Sequence, residues 1–503
     1  MPSLPVLISP YSVRYPEAFA SRSSRRKRDP PLGVGRAEPA AFLEHIHRLV
    51  LHQLQHPWVR RPRPCARSRT RKASLTDAAS PDSIAFGMLG PLVYRLSLRD
   101  STLVIVFFNL LATTAAGILA TIGPKTGMRQ MIHARYSFGR RLASIPVLFN
   151  LATLAGFNAV ICVVGGQCLS AVSSGTVTPD VGIVVISVLS LVVSFAGFQV
   201  LHVFETLSFI PALISIVIAA GVGGSGLQRQ SHVATPAAAA DLLTFGMVVA
   251  GYQIPWGAIA SDLTTYFDPK VSSWRVFLYT YTGLLIPAVL LMSLGAAVAG
   301  ALPGNPSWEQ GNDAYGVGGV LAAMLSSAGG FGKFVVVLQT LSLLGNTCGS
   351  FYAITLNFQA LAPILGRVPR CAFAVAITAA IIPVAMYASR NFLASLSNFI
   401  AMISYWSAAY VGIVMADHVV IRRCRFDSYD AAVWDQGGRL PLGVAAISSG
   451  VIAFGLVVPC VKEEWYVGPV AQKTGDVGFE VAFVLSTLAY VPLRLLERRL
   501  TRR

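Results

Sequence analysis

The stretch FGMVVAGYQIPWGAIASD at residues 245–262 has the composition of a membrane helix together with the residues that break one. Glycine and proline interrupt its apolar run, at Gly251, Pro255 and Gly257. Five apolar runs earlier, AFGMLGPLVY at 85–94 is interrupted in the same way. Unwound backbone inside a bilayer is tolerated where it lines a ligand cavity. The pair therefore indicates an inverted-repeat transporter with a binding site between its first and sixth spans, although glycine and proline also kink ordinary membrane helices.

The composition supports a membrane protein. Of the 503 residues, 54% are hydrophobic and 13% are charged, whereas soluble domains carry about 25% charged residues. Apolar runs long enough for a hydrocarbon core of ~30 Å recur along the chain. They predict about twelve spans, at 83–98, 101–122, 142–171, 179–199, 202–222, 240–261, 275–301, 331–361, 371–388, 394–418, 440–461 and 477–495. The stretch 315–328 is too short to cross a bilayer, and we expect it to form a helical external lid.

The distribution of Lys and Arg predicts the orientation of these spans. With the N-terminus inside, the inner loops and tail after the first span hold 18 such residues and the outer loops hold seven. Cytoplasmic loops of membrane proteins carry the excess of positive charge. Both termini are therefore expected in the cytoplasm, and residues 496–503 form a basic cytoplasmic tail after a permease domain at 79–495.

The residue inventory argues against an enzyme. The seven cysteines lack metal-ligand spacing, and the eight histidines form no zinc-binding pattern. Nothing resembles a nucleophile with its base. We expect no metal, no cofactor and no nucleic-acid partner.

Several stretches carry a family resemblance. They include GPKTGMRQMIHARYSFGRR at 123–141, GFQVLHVFE at 197–205, PWGAIASDLTTY at 255–266 and SNFIAMISYWSAAYVGIVMADH at 397–418. From about Ile84 to the C-terminus the chain resembles the purine-cytosine permeases, the fungal branch of the nucleobase-cation-symport-1 transporters. That resemblance implies an all-α integral membrane protein with a five-plus-five inverted repeat, the LeuT-like fold. It also implies a central nucleobase site and, in fungi, proton coupling.

A flat, neutral base needs an aromatic face for stacking and amide or hydroxyl groups to read its edge. Trp256 matches the stacking tryptophan of the family, and Phe157 falls where the family usually carries a second one. Both also have an alternative role as packing residues.

Candidate edge readers lie in three spans. Asn346 matches one of two asparagines that the family places in the eighth span, and the second falls on Ser350. A third family asparagine falls on Ile161, with Asn158 one turn away on nearly the same face. Two further candidates are Gln167, which is equally suited to a bond between helices, and Ser83 in the first span.

Coupling requires a titratable group or a cation cage, and acids within a membrane are costly enough to be candidates. They are Glu205, Asp262 and Asp417, all near predicted cytoplasmic ends, where pairing with Lys or Arg is the ordinary explanation. In the first cytoplasmic loop, Lys125 and Arg129 are gating candidates. We expect residues 129–139 to form an interfacial helix, with the loop cations near headgroups and inner acids.

The N-terminal segment is atypical. Residues 1–75 hold fifteen Lys and Arg against four acids. Residues 1–78 are interpreted as a disordered cytoplasmic tail on anionic lipid or as the product of a wrong gene model. The first span is also short, since only twelve residues, from Ser83 to Tyr94, precede Arg95.

The sequence thus predicts a plasma-membrane permease that imports cytosine or purines such as adenine, guanine and hypoxanthine by proton symport. Its partners would be the base and the lipid bilayer, in an oligomeric state that the residues do not specify. Two alternatives stay open. One is a permease for another small substrate, such as a vitamin, an amino acid or an allantoin-like compound, and the other is a non-transporting receptor.

Overall fold

The computed structural model describes residues 82–195, 211–231, 236–361, 365, 367–463 and 465–501, apart from the side chains of residues 348 and 352. Predictions for residues 1–78 and for Glu205 lie outside this part of the chain. Within it, a helix occupies each of the twelve predicted span positions. They are α1 Asp82–Leu92, α2 Leu98–Ala120, α3 Ser144–Val172, α4 Pro179–Phe195, α5 Pro211–Val222, α6 Ala239–Gln253, α7 Ser273–Ala301, α8 Gly329–Leu361, α9 Arg370–Ser389, α10 Phe392–Ala416, α11 Val444–Val457 and α12 Gly478–Thr501.

Length separates these helices into groups. In the described residues, seven segments are long and apolar enough to cross a membrane: those containing α2, α3, α7, α8, α9, α10 and α12. Helices α4, α5 and α11 are shorter apolar helices. The remaining two are short for separate reasons, because α1 has 11 described residues and α6 is interrupted after 15.

The predicted break in the sixth span is confirmed. Helix α6 ends at Gln253 and is followed by a 3-10 turn at Ile254–Ala258, then by a short helix at Ala260–Thr264. Proline causes this change, since Pro255 lacks the N–H that an α-helix requires.

The corresponding break predicted in the first span is not present. Helix α1 runs through Gly87 and Gly90 and ends at Leu92, one residue after Pro91. Its glycines serve close packing instead, because a side chain at Gly87 would overlap the carbonyl of Met292 in α7. A side chain at Gly295 in α7 would likewise overlap the carbonyl of Ile84.

The packing of α1–α10 repeats when the first five and second five helices are exchanged. Helix α1 packs on α7, and α6 packs on α2, which is the equivalent pair. Similarly, α3 packs on α9 and α8 packs on α4, which is again an equivalent pair. The exchange leaves two further contacts unchanged, those of α3 with α8 and of α2 with α7. This correspondence is what the inverted repeat predicts.

The remaining elements surround this repeat. A helix at Pro306–Met324 packs on α3 and bends at Tyr315 and Gly316. It begins earlier than the predicted lid at 315–328 and ends before the 3-10 turn at Ser326–Ala328. A hairpin of β1 Lys462–Glu463 and β2 Tyr466–Val467 joins α11 to α12. Helix α12 packs on α10 and α11 and continues past the predicted span end at residue 495.

The contact between α1 and α7 gives a stability prediction. Gly87→Ala and Gly295→Ala should each lower the midpoint of thermal unfolding of the purified chain, because overpacking costs about 1–3 kcal/mol. Gly450→Ala is the matched control, since a side chain there meets nothing within 4 Å. Equal midpoints for all three variants would show that a methyl group at Gly87 or Gly295 is accommodated without loss of stability.

Candidate functional site

A cavity lies among α1, α3, α8 and the interrupted α6. Four of the predicted site residues line it: Phe157, Trp256, Asn346 and Ser350. Among the described residues, the lining is Asp82, Asn150, Thr153, Leu154, Phe157, Ile161, Tyr252, Pro255, Trp256, Ile259, Asn346 and Ser350. The cavity therefore occupies the place predicted from the glycine and proline pattern, between the first and sixth spans.

Trp256 reaches the cavity because of the break in α6. It lies in the 3-10 turn directly after Pro255, and its ring packs on Ala116 of α2 and Leu284 of α7. The side chain is only partly buried. Support from two neighbouring helices fixes one side of the indole and leaves apolar ring surface at the cavity.

Phe157 belongs to an aromatic cluster at the same cavity. Its ring centroid is 6.1 Å from that of Tyr252 and 6.3 Å from that of Phe86. Phe399 of α10 lies edge-on at 5.4 Å. The packing role and the lining role, which were alternatives in the sequence, therefore coexist in this residue.

Polar groups enter the cavity from α8 and α3. Asn346 and Ser350 are four residues apart, so they share one face of α8. On α3, the Thr153 hydroxyl donates to the carbonyl of Phe149 and accepts from Trp406 Nε1, both at 2.9 Å. Asn150 is 1% exposed, and its Nδ2 has no hydrogen-bond partner among the described residues. The Asn150 amide is thus an available donor that the sequence reasoning missed.

The sequence reasoning also missed an acid. Asp82, the first described residue of α1, is 1% exposed and lines the cavity. It is the one acidic residue in that lining. The predicted first span began at Ser83, so Asp82 was assigned to the polar run TDAASPD that precedes it.

Three other predicted site residues do not line the cavity. Ser83 acts one step away, since its hydroxyl lies 2.7 Å from the hydroxyl of the lining residue Tyr252. Asn158 is fully buried, with both amide atoms unpartnered among the described residues. Gln167 packs against Gly316, at the bend of the Pro306–Met324 helix, so its neighbour is that helix.

The two described coupling candidates have structural partners. The Asp417 carboxylate pairs with Arg422 at 2.5 Å and accepts from the hydroxyl of Tyr490 at 2.9 Å. Asp262 accepts from the backbone N–H of Gln130 at 2.8 Å. The contact of Asp417 with Arg422 agrees with the ordinary pairing explanation, and neither acid lines the cavity.

The first loop, residues 123–141, makes direct contacts with distant parts of the protein. Lys125 Nζ donates to the carbonyls of Pro269 and Val271, at 2.9 and 2.6 Å. Met131 and Tyr136, which lie within the predicted interfacial helix at 129–139, are buried within the protein. The interfacial helix is therefore wrong in this respect, because contacts with distant loops could not be read from the local apolar pattern.

Electrostatics in this loop follow from its burial. Arg129 is the cation that acts on Asp262, while Arg135 and Arg140 pair with Asp435 at 2.9 and 3.0 Å. Burial, helped by the nearby His418 and Arg422, lowers the pKa of His133 to about 3. A neutral His133 then shares a 2.7 Å hydrogen bond with Thr126.

Comparisons with known proteins give the family of this chain. Residues 76–481 match the family described as permeases for cytosine/purines, uracil, thiamine and allantoin. The chain belongs to this permease family. It is a membrane transporter and not an enzyme, as the sequence predicted.

Curated relatives and a solved structure agree with this assignment. The purine-cytosine permease fcyB of Emericella nidulans is 35% identical over 82% of this chain and 82% of its own length. The purine-cytosine permease FCY21 of Saccharomyces cerevisiae is 33% identical over 80% and 77%. Mhp1, a nucleobase-cation-symport-1 family transporter solved in a closed conformation with bromovinylhydantoin bound, matches with a TM-score of 0.66. That match covers 86% of this chain and 92% of Mhp1 at 14% identity, and it confirms the LeuT-like fold.

The first loop of this permease generates a prediction. Changing Lys125 and Arg129 together to Gln should reduce surface abundance or turnover, because two carbonyl contacts and the charge beside Asp262 are lost. Substrate preference should stay the same. Lys270→Gln with Arg275→Gln is the matched control, since both side chains are exposed and lie just before α7 or in its first turn, on the membrane side predicted for the first loop.

Surface labelling and uptake measure both double variants. Equal losses in the two would mean that Lys125 and Arg129 act only through membrane topology. A changed substrate preference in the first variant would contradict the structural role of the loop.

Proposed function

We propose that this permease imports nucleobases, such as cytosine and purines, into the cell by alternating access. The observation that carries the proposal is the position of Trp256, beside the break in α6 and across a cavity that also contains the amide of Asn346. A flat aromatic ligand needs both a ring face and an edge reader. The relatives named above as purine-cytosine permeases support the same substrate class.

Departures from the family pattern bear on which base is taken. Phe157 supplies a smaller ring face than a tryptophan, and Ser350 supplies a hydroxyl where the family carries an amide. Ile161 offers no hydrogen bond in place of an asparagine. These three residues line the cavity, so they are the positions through which the base preference of this chain would differ from that of its relatives.

We infer that protons drive the import and that Asp82 carries the coupled proton. Among the described residues of the cavity lining, Asp82 is the one acid, and it is buried. Proton binding beside the substrate would link the two events directly. Asp262 and Asp417 have structural partners and lie outside this lining.

The same proposal places the permease in the plasma membrane with both termini in the cytoplasm. The excess of Lys and Arg in alternate loops supports this orientation.

Uptake tests the function itself. Cells that lack their own nucleobase permeases, expressing the full chain, should accumulate radiolabelled cytosine, adenine or hypoxanthine. Competition with unlabelled bases, thiamine and allantoin separates the substrate classes named for the family. Displacement by thiamine or allantoin alone would favour the other small substrates, and no uptake at normal surface abundance would favour the non-transporting receptor.

Trp256→Ala should raise the KM for the imported base about fivefold, since an aromatic pair contributes about 1 kcal/mol beyond its burial. Trp465→Ala is the matched control, because that ring is 65% exposed in the loop between β1 and β2. Radiolabelled uptake, normalised to surface abundance, measures both. An unchanged KM in Trp256→Ala would remove the stacking role.

Asp82→Asn should abolish accumulation against a gradient, because the amide cannot take up the coupled proton, while exchange of labelled base across the membrane continues. In the unaltered permease, uptake should fall as the external pH rises or when a protonophore is added, and in the variant neither change should matter. Asp180→Asn, at an exposed acid that starts α4, is the control. Concentrative uptake by Asp82→Asn would assign the proton to another group.

A further inference from the structure

A second cavity lies where the chain leaves α10 and meets the end of α12. Its lining comes from residues 421–428 and from one face of α12, and it shares no residue with the lining of the first cavity. The lining is Ile421, Arg422, Arg423, Arg425, Asp427, Ser428, Arg494 and Arg498. Five of these eight side chains are arginines, an unusual concentration for one cavity.

The charges around this cavity do not cancel. Arg422 pairs with Asp417 at 2.5 Å, and Arg494 pairs with Glu497 at 2.9 Å. Asp427 is the one acid in the lining. Arg423, Arg425 and Arg498 are exposed, and no ion pair joins them to an acid among the described residues. Positive charge therefore remains in excess after every local acid is counted.

The buried side chain of Arg494 gives independent support for an anion at this cavity. Its side chain is 5% exposed, one Nη atom is used on Glu497, and Nε has no hydrogen-bond partner in the described part of the chain. A buried donor without a partner costs free energy, more so when the group is charged. An anion beside Arg494 would supply the missing acceptor for Nε.

The loop that carries the other arginines is held in place by specific contacts. Arg422 donates to the carbonyl of Ser428 at 2.8 Å and to that of Tyr136 at 3.2 Å. Its guanidinium also lies 4.5 Å from the ring centroid of Tyr429. Arg423 and Cys424 adopt left-handed φ values of 52° and 56°, a conformation that non-glycine residues seldom take. These contacts hold the chain in a conformation that places the cations around one space.

We propose that this cavity binds a phosphate group. Guanidinium forks match phosphate oxygens in geometry and always carry charge, and a phosphate would offset the excess positive charge. Two sources share this chemistry: the headgroup of an anionic phospholipid and the free phosphate ion. The cavity lies at the basic end of α12, on the side that the positive-inside count assigns to the cytoplasm.

The experiment uses the full chain, purified in a neutral detergent at constant ionic strength so that screening is the same throughout. The midpoint of thermal unfolding is titrated with three probes: inorganic phosphate, water-soluble dioctanoyl phosphatidylinositol 4-phosphate and dioctanoyl phosphatidylcholine. A ligand that binds the folded state raises this midpoint. We expect at least one phosphomonoester or phosphate probe to raise it and phosphatidylcholine not to.

Arg423→Gln with Arg498→Gln removes two lining cations and should raise the half-saturating concentration about tenfold or more, because each charged fork contributes to binding. Arg367→Gln with Arg499→Gln is the matched control. It removes the same charge from two exposed arginines outside the lining, while the basic residues 1–75 stay constant in both. Arg498→Lys keeps the charge but loses the fork, so it should weaken binding less and guards against a misfolded double variant.

The outcomes distinguish the two sources of phosphate and also test the proposal itself. A shift with inorganic phosphate supports the site and assigns it to the free ion, whereas a shift with the lipid probe alone supports it and assigns it to a headgroup. No shift with either probe overturns the proposal. A shift that weakens equally in the lining variant and in its matched control also overturns it, because the binding would then be non-specific.

Discussion

The interruption of α6 at Pro255 is the constraint on which the rest of the site depends. A bilayer offers no water to unsatisfied backbone groups, so neighbouring protein must hold such a segment in place. Helix α2 does so here: the Ser261 hydroxyl donates to the carbonyl of Leu119 at 3.1 Å, and that of Thr264 donates to Ala120 at 2.7 Å. The position of Trp256 is therefore set by contacts made beyond the break, at the end of another helix.

Features that depend on short-range pattern were predictable from the sequence. The twelve helix positions follow from apolar length, and the break in α6 follows from a single proline. Asn346 and Ser350 line one cavity together because a spacing of four residues puts them on one helix face. Phe157 and Trp256 were placed by family resemblance, and the structure brings them to the same cavity.

Features that depend on contacts between distant segments were not predictable in the same way. Gly87 looked like a helix breaker, yet it permits α1 to pack on the carbonyl of Met292. Gln167 was equally suited to a lining role and to a contact between helices, and its neighbour is Gly316 of a helix about 150 residues later. Lys125 looked like a lipid anchor, yet it bonds two backbone carbonyls. In each case the residue type indicated a structural or functional role, but the role itself depends on a contact with a distant segment that the sequence does not show.

Protonation changes what Asp82 can offer to a ligand in the cavity that it lines together with Asn346. An ionised Asp82 only accepts hydrogen bonds, whereas its protonated form offers one donor and one acceptor, as the Asn346 amide also does. A base edge with adjacent N–H and carbonyl or ring-nitrogen groups needs such mixed pairs. Under the proposed coupling, the site would therefore match a base best when the proton is already bound. By reciprocity the bound base would hold the proton more tightly, so a single carboxyl in the lining would join substrate recognition to the driving ion.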